Sequence, residues 1–344
     1  MIEEPDAETA AVAERYGRFA RDEAPGRSDL YADWARGVAA DPDIAAIVAR
    51  IPATRRQPPL VFAVTRMLGA PEEGFATWAA WLHAHADEAV AEASVRRLQT
   101  NEPQRCAALL PALATVPGPI ALLEVGASAG LCLYPDRYSY RYRGREGVTA
   151  LDPAGGRSTV MLDCDVTGEP PLGMPQVVWR AGIDLHPLDA ADAGDRRFLT
   201  SLVWPGEGGR AERIGAALDI VAADPPLLVA GDASDPDVLR SVAAMAPDGA
   251  TLVVTTPGVL PHIPRAGRER VIDAVQKLGH SERRAVWITI DPPGLHEQWN
   301  AAVDPGAWGG FVLGRDGEPL AAVDPLGGFV HWRAWRPGWT DAAG

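Results

Sequence analysis

The chain has little cysteine. Cys106, Cys132 and Cys164 are odd in number, widely spaced and never arranged as Cys-x-x-Cys. This excludes a disulfide framework and a cysteine-based metal framework, and it fits reduced thiols in a cytosol. Long apolar runs are also missing, since no stretch approaches the roughly 18 residues of a membrane-spanning helix. The opening MIEEPDAETA is acidic and lacks the basic-then-apolar layout of a secretory signal. A cytoplasmic protein away from the membrane is expected. Positive charge is in deficit as well: 32 Lys and Arg stand against 46 Asp and Glu, for a net charge of −14. Such a balance opposes a nucleic-acid partner, which needs clustered basic residues. The short basic run Arg141, Arg143, Arg145 is expected to be solvated surface. There is no internal repeat, and the 35 glycines and 31 prolines are scattered as turn punctuation, without low-complexity blocks.

What remains is a chain of 344 residues, 47% hydrophobic and 23% charged, with enough apolar mass for one large domain or two ordinary ones. Residues 1–116 read as helical. Pro52, Pro58, Pro59 and Pro71 punctuate them, and Phe75, Trp78, Leu82, Val90, Ala93 and Leu98 keep to helical spacing between Gly74 and Gln99. A further helical phrase, Arg105 to Leu113, ends before Pro117-Gly118-Pro119, the expected domain boundary. Beyond it, in residues 117–344, short apolar runs alternate with helical patterns. The expected strands are Ile120–Val125, Val177–Ile183, Leu227–Ala230, Thr251–Thr255 and Ala285–Ile290. Between them, Ile214, Ala217, Leu218 and Val221 share one helical face, and Val271, Val275 and Leu278 share another that stops at Gly279. This alternation predicts an α/β domain with a mostly parallel sheet. Residues 134–176 read as an inserted hairpin, with Tyr138–Tyr142 as one strand. The runs near Phe311–Leu313 and Phe329–Trp335 read as a terminal antiparallel pair.

The most informative stretch is Leu122-Leu123-Glu124-Val125-Gly126-Ala127-Ser128-Ala129-Gly130. An apolar strand ends in an acid, and small residues follow, so the backbone can turn tightly and approach a ligand. Two later strands also end in acids, at Asp184 and at Asp232 in Gly231-Asp232-Ala233. Each acid has a bland reading, as a surface acid, a helix cap or an Asx-turn residue. Gln99, Asn101, Glu102 and Arg105 crowd polar groups just before the loop, where Arg105 is placed to pair a ligand carboxylate. A helix-end hydrogen-bond network is the alternative. Asp163 and Asp165 read as turn residues, Trp204 and Trp332 as packing. His83 and His85 point to different helical faces, so no metal site is expected. His186 and His262 are weak candidates for a general base. Gly126 to Gly130 also matches the nucleophile elbow G-x-S-x-G of serine hydrolases, with Ser128 attacking, Asp232 or Asp235 next, then His262, His280, His296 or His331. Against that stand the helical reading upstream, the absence of an HGGG-type motif, and Pro135, which breaks the helix an elbow needs.

The loop resembles the acidic-x-Gly-x-Gly-x-Gly loop of class I S-adenosylmethionine-dependent methyltransferases, with Ser128 replacing the middle glycine. The resemblance implies a Rossmann-like fold with S-adenosylmethionine as cofactor and a small molecule as methyl acceptor. It places Glu124, Gly126, Ser128 and Gly130 at the cofactor's methionine and ribose portion. Asp184 then falls at the ribose hydroxyls, Asp232 at the adenine amino group, and Thr256 on the substrate side. Over residues 99–260 the chain also resembles a bacterial family of unknown function, numbered 2332. The shared phrases are Gln99-Thr100-Asn101-Glu102 with Arg105, Leu123 to Leu131, Pro135-Asp136-Arg137-Tyr138, Gly182-Ile183-Asp184-Leu185, Val203-Trp204-Pro205 and Gly231-Asp232-Ala233. The sequence departs from that family at Cys132, where Asn is usual, and at Thr255-Thr256, where an aromatic-His pair is usual. A ligand-binding protein without catalysis, on the same scaffold, is the non-enzymatic alternative.

Overall fold

Capping residues and prolines cut the first hundred residues into short helices. The computed structural model describes residues 6–99, 101–280, 285–299, 308 and 310–333. Helix α1 (Ala7–Asp22) starts at Asp6, whose carboxylate accepts from Thr9 N at 2.8 Å, and α2 (Asp29–Ala40) starts at Ser28, which accepts from Tyr31 N. Asp41 caps α3 (Pro42–Ala49), and Pro58 and Pro59 occupy the first turn of α4 (Pro58–Met67), where no backbone donor is lost. The single helix expected from Gly74 onward is two, α5 (Phe75–Ala84) and α6 (Ala86–Val95), divided at His85. Past that break Ala93 is still buried, but Leu98, beyond the end of α6, is 47% exposed.

Two compact units result. One comprises the described residues up to Gln99 together with Asp192–Gly215, and the other comprises the rest. The division therefore falls after residue 100, not near 117, and a later segment returns to the helical unit. That segment supplies Trp204, buried against Phe19 and Tyr31, with the Arg27 guanidinium 3.7 Å above its ring. In the same core Trp34 stacks on Trp78 at 5.1 Å, and Phe62 meets both edge-on. Burial of these rings carries much of the unit's stability, since each removes a large apolar surface from water.

In the second unit, α7 (Arg105–Leu113) is buried on all sides, as its nearly continuous apolar sequence requires. Among the described residues eleven strands follow. They are β1 (Pro119–Val125), β2 (Ser139–Gly144), β3 (Gly147–Leu151), β4 (Met161–Thr167), β5 (Gln176–Asp184), β6 (Leu227–Ala230), β7 (Thr251–Pro257), β8 (Val286–Asp291), β9 (Phe311–Arg315), β10 (Glu318–Val323) and β11 (Phe329–Trp332). They form one sheet in the order β3-β2-β4-β11-β10-β9-β8-β7-β1-β5-β6. All four pairings from β8 to β6 are parallel, and those joining β8, β9, β10 and β11 are antiparallel. The later helices are α8 (Ala193–Ser201), α9 (Arg210–Ala223), α10 (Pro236–Ala243) and α11 (Arg265–Gly279). Helix α8 belongs to the first unit, and α9 runs across the division. The expected inner faces hold: Ile214, Ala217, Leu218 and Val221 of α9 are buried, as are Val271 and Val275 of α11.

Three expectations need correction. The hairpin β2–β3 is present, but it is no appendage. Strand β4 runs parallel to both β2 and β11, so the segment extends the main sheet. Asp163 and Asp165 are not in a turn. They alternate with buried Leu162 and Cys164 on the outward face of β4, and Arg143 on the neighbouring strand pairs with Asp163 at 2.7 Å. Finally, β9 and β11 do not pair, because β10 lies between them and is antiparallel to both.

Trp34→Ala leaves a large void among Trp78, Phe62 and Tyr31. It should lower stability by about 3–5 kcal/mol, read as a fall in urea midpoint at an unchanged denaturant slope.

Candidate functional site

After β1 the chain forms β2, β3 and β4 at the far edge, returns to place β5 and β6 on one side of β1, then crosses back to β7 and β8 on the other. The carboxyl ends of β1 and β7 therefore flank the point where strand order reverses, the place where open α/β sheets hold ligands. The loop after β1 is built at this point. Gly126 has φ 78° and donates its N–H to Ile183 O at 2.8 Å. A Cβ on Gly126 would lie 2.4 Å from Val259 Cγ2, and one on Gly182 would lie 2.4 Å from Ala127 Cβ. Glycine at both positions is thus required by close approach, and the space directly over Gly126 is already filled by Val259. Ser128 has φ 52°, a left-handed conformation that costs a non-glycine residue energy. Gly130, at φ 80°, ends the turn.

Asp184 holds this loop in place. Its two carboxylate oxygens accept from Ser128 N at 2.9 Å and from His186 N at 2.8 Å. An oxygen that accepts once keeps a second lone pair, so Asp184 can still receive ligand hydroxyls. At the end of β6, Asp232 is exposed and closes an Asx turn, with Oδ1 accepting from Ser234 N at 2.8 Å. His186 and His262 are also exposed. Desolvation, and then the nearby Arg105 charge, holds the His262 imidazole below its usual pKa.

Strand alternation sorts the remaining residues. Leu123 and Val125 pack with residues of α10 and α11, so Glu124 points to the opposite face, in register with Thr255. Glu124 is 4% exposed, and its Oε2 has no hydrogen-bond partner among the described residues. Burial raises its carboxyl well above the usual range; Cys132 and Asp184 add to the shift, while Arg105 opposes it. Arg105 opens α7 and is itself buried. Its Nη1 donates to Pro257 O at 2.9 Å and its Nε to Pro325 O at 3.0 Å, and among the described residues no carboxylate forms an ion pair with it. Asn101 is buried nearby in sequence, with its Nδ2 unpartnered. Next to it, Glu102 O accepts from Cys132 Sγ at 3.3 Å. A hydrogen bond with Cys106, together with burial, keeps the Cys132 thiol protonated. Part of this is the helix-end network the sequence allowed: Glu102 Oε1 accepts from Gln104 N, and Gln104 Nε2 reaches Asp163 O and Gly327 O. The phrase Pro135-Asp136-Arg137-Tyr138 has a packing role, with Asp136 pairing the Arg180 guanidinium through two bonds of 2.8 and 2.7 Å.

Thr256 is placed differently from Glu124. It alternates with Thr255, lies in register with Thr289, and belongs to a buried polar chain on the other face. Trp287 Nε1 donates to Thr256 Oγ1 at 3.0 Å, and the Thr256 and Thr289 hydroxyls meet at 2.7 Å. Thr289 Oγ1 in turn bonds Asp291 Oδ2, which His296 Nε2 also meets, at 2.8 Å. The sequence reading weighed His296 only as a partner for Ser128 and missed Asp291. The available signal was another strand ending in an acid, Ile288-Thr289-Ile290-Asp291. Among the described residues no group of three His, Cys, Asp or Glu could hold a metal ion, and no helix is long and apolar enough to cross a membrane.

These features define an α/β protein with a mostly parallel mixed sheet and a polar cluster where the strand order reverses. The chain belongs to a family described as uncharacterized proteins conserved in bacteria (DUF2332), whose model matches residues 13–332. No curated protein and no solved structure matches it.

A buried acid with a raised pKa favours the folded state only while protonated, so its contribution is complete below about the ordinary value of 4.5 and is lost as pH rises through the folded pKa. Glu124→Gln should therefore raise the melting temperature relative to the parent at pH 8, and the gain should vanish near pH 4. An equal shift at both pH values would contradict the burial of a titrating carboxyl.

Proposed function

We propose that the protein binds S-adenosylmethionine at the β1–β7 switch point and transfers its methyl group to a small molecule. One observation carries this reading. A buried carboxylate oxygen without a partner, on Glu124, lies within electrostatic reach of a buried guanidinium that has only carbonyl partners. Buried polar groups are normally satisfied, and an unsatisfied acid beside a buried cation that pairs only with carbonyls suits a ligand that brings both charges. An α-amino-carboxylate does so, with its ammonium for Glu124 and its carboxylate for Arg105. Asn101 Nδ2 is a further buried donor in the same segment.

The strand order supports a cofactor of this kind. Counted along the chain, the five parallel strands run 3-2-1-4-5, the doubly wound Rossmann order. Asp184 keeps lone pairs for two vicinal hydroxyls, and Asp232 is at the next strand end with one oxygen outside its turn. Because Val259 covers Gly126, the ligand would pass beside that residue, toward β5. The chain's own residues would supply positioning, which is most of what an in-line transfer from a sulfonium requires. A serine-hydrolase reading has one point in its favour, the left-handed Ser128. It lacks the helix that should follow, since a single 3-10 turn, Leu131–Leu133, occupies that position. Fluorophosphonate labelling is expected to leave Ser128 unmodified.

Calorimetry with S-adenosylhomocysteine and 5′-methylthioadenosine separates the parts of this proposal. The second compound keeps the adenosine and thioether but lacks the amino-acid end. It should bind at least about tenfold more weakly, a difference of about 1.4 kcal/mol. Arg105→Gln should erase most of that difference. Asp184→Ala is a poorer control, because it also frees the loop. No binding of either compound to folded protein would overturn the cofactor assignment.

A further inference from the structure

Outside the Glu124 cluster, the most developed polar arrangement is the chain ending at Asp291 and His296. Its donors run in one direction. An indole can only donate, so Thr256 Oγ1 accepts from Trp287 and donates to Thr289 Oγ1. Thr289 then accepts from Thr256 and spends its own hydrogen on Asp291 Oδ2 or on Thr256 O. Asp291 is wholly buried, and Oδ2, where these bonds converge, is an acceptor. With Asp291 as a carboxylate, the hydrogen on the His296–Asp291 bond sits on Nε2. Nδ1 of His296 is left as the ring nitrogen with a free lone pair, and it makes no hydrogen bond among the described residues.

The ring is also held in place. His296 is 2% exposed, with the Trp299 ring at 4.1 Å and the Trp287 ring edge-on at 5.7 Å. The dyad's place in the sheet matters most. Asp291 ends β8, next to the end of β7, and Gly258 N donates to Ile290 O at 2.7 Å. Pro257, beside Gly258, gives its carbonyl to Arg105. From β1 to β8 is two strand spacings, about 10 Å, and both strands end at the same carboxyl edge, with the dyad on the sheet face opposite Glu124. Asp291 Oδ1, buried and unpartnered, marks this end of the chain as unfinished.

From this geometry we infer that His296 is the proton acceptor of the site and Asp291 its positioning residue, which restricts the methyl acceptor to a nucleophile carrying a proton, a hydroxyl or an N–H. The inference rests on the methyl-transfer reading. In the step, His296 Nδ1 takes the proton from the accepting atom. That atom's electron pair forms the new bond to the methyl carbon, while the pair of the broken methyl–sulfur bond stays on sulfur as a neutral thioether. The imidazolium left behind is held against the Asp291 carboxylate. Carboxylates and tertiary amines, which carry no proton to lose, would have no use for the dyad.

The test needs no acceptor. Diethyl pyrocarbonate acylates an imidazole nitrogen only where its lone pair is free and reachable. The folded protein should be labelled at His296, identified by peptide mass, as well as at the exposed His83. Long-range proton–nitrogen NMR should show the His296 hydrogen on Nε2. Asp291→Asn should lose most of the His296 labelling and keep that of His83. Should that variant not fold, labelling and tautomer in the parent protein still decide. An unlabelled His296 beside labelled His83, or a hydrogen on Nδ1, would overturn the inference. Titration of the same sample with S-adenosylhomocysteine keeps the two claims apart. Binding with an inert His296 leaves the cofactor site standing without this base; a reactive His296 without binding leaves the base and removes the cofactor.

Discussion

The first turn of α7 ties together the parallel and antiparallel parts of the sheet formed by the described residues. Arg105 bonds the carbonyl at the end of β7 and another in the loop before β11. Gln104 bonds carbonyls of β4 and of that same loop. Parallel and antiparallel parts of the sheet are thereby tied to one helix end by side chains buried within it. A buried guanidinium is costly to desolvate, and carbonyl acceptors offset that only in part. The arrangement is easier to understand if a ligand anion completes it.

Glu124 poses the complementary problem on the neighbouring strand. Its burial raises its pKa and leaves an oxygen unsatisfied. Stability alone would favour a neutral or apolar residue there. Groups that cost stability and are nonetheless kept cluster at functional sites. Together with Asp184, which fixes the glycine loop, these residues form a polar floor at the one point where the strand order reverses. The Asp291–His296 dyad, two strands away, gives the same edge a group able to accept a proton.

Much of this was legible in the sequence, for physical reasons. The strands β1, β7 and β8 are apolar runs ended by acids or Pro, and burial on two faces leaves that signature, while β5 and β6 are partly exposed and are legible from the Asp184 and Gly231-Asp232 that end them. Glu124, Asn101 and Arg105 stood out as polar residues around a small-residue loop. Strand β4 was misread because Asp163 and Asp165 look like turn residues until their alternation with Leu162 and Cys164 is seen. Strand β10 was missed because Pro319 and a Gly before it suggest a turn. The bland readings of Asp232 as a turn residue and of Trp204 as packing describe what those side chains do in the structure. The dyad was hidden because the hydrogen-bond chain that orients it comes from β7, β8 and the segment after β8, and no local motif records such a meeting.

The central claim is that Glu124 and Arg105 form a ligand site for an amino-acid end. A crystal structure of the protein grown with S-adenosylhomocysteine tests it most directly. The ammonium is expected on Glu124 Oε2, the carboxylate on Arg105 and the ribose at Asp184. A molecule bound elsewhere, or one whose amino-acid end leaves Glu124 and Arg105 untouched, would contradict it.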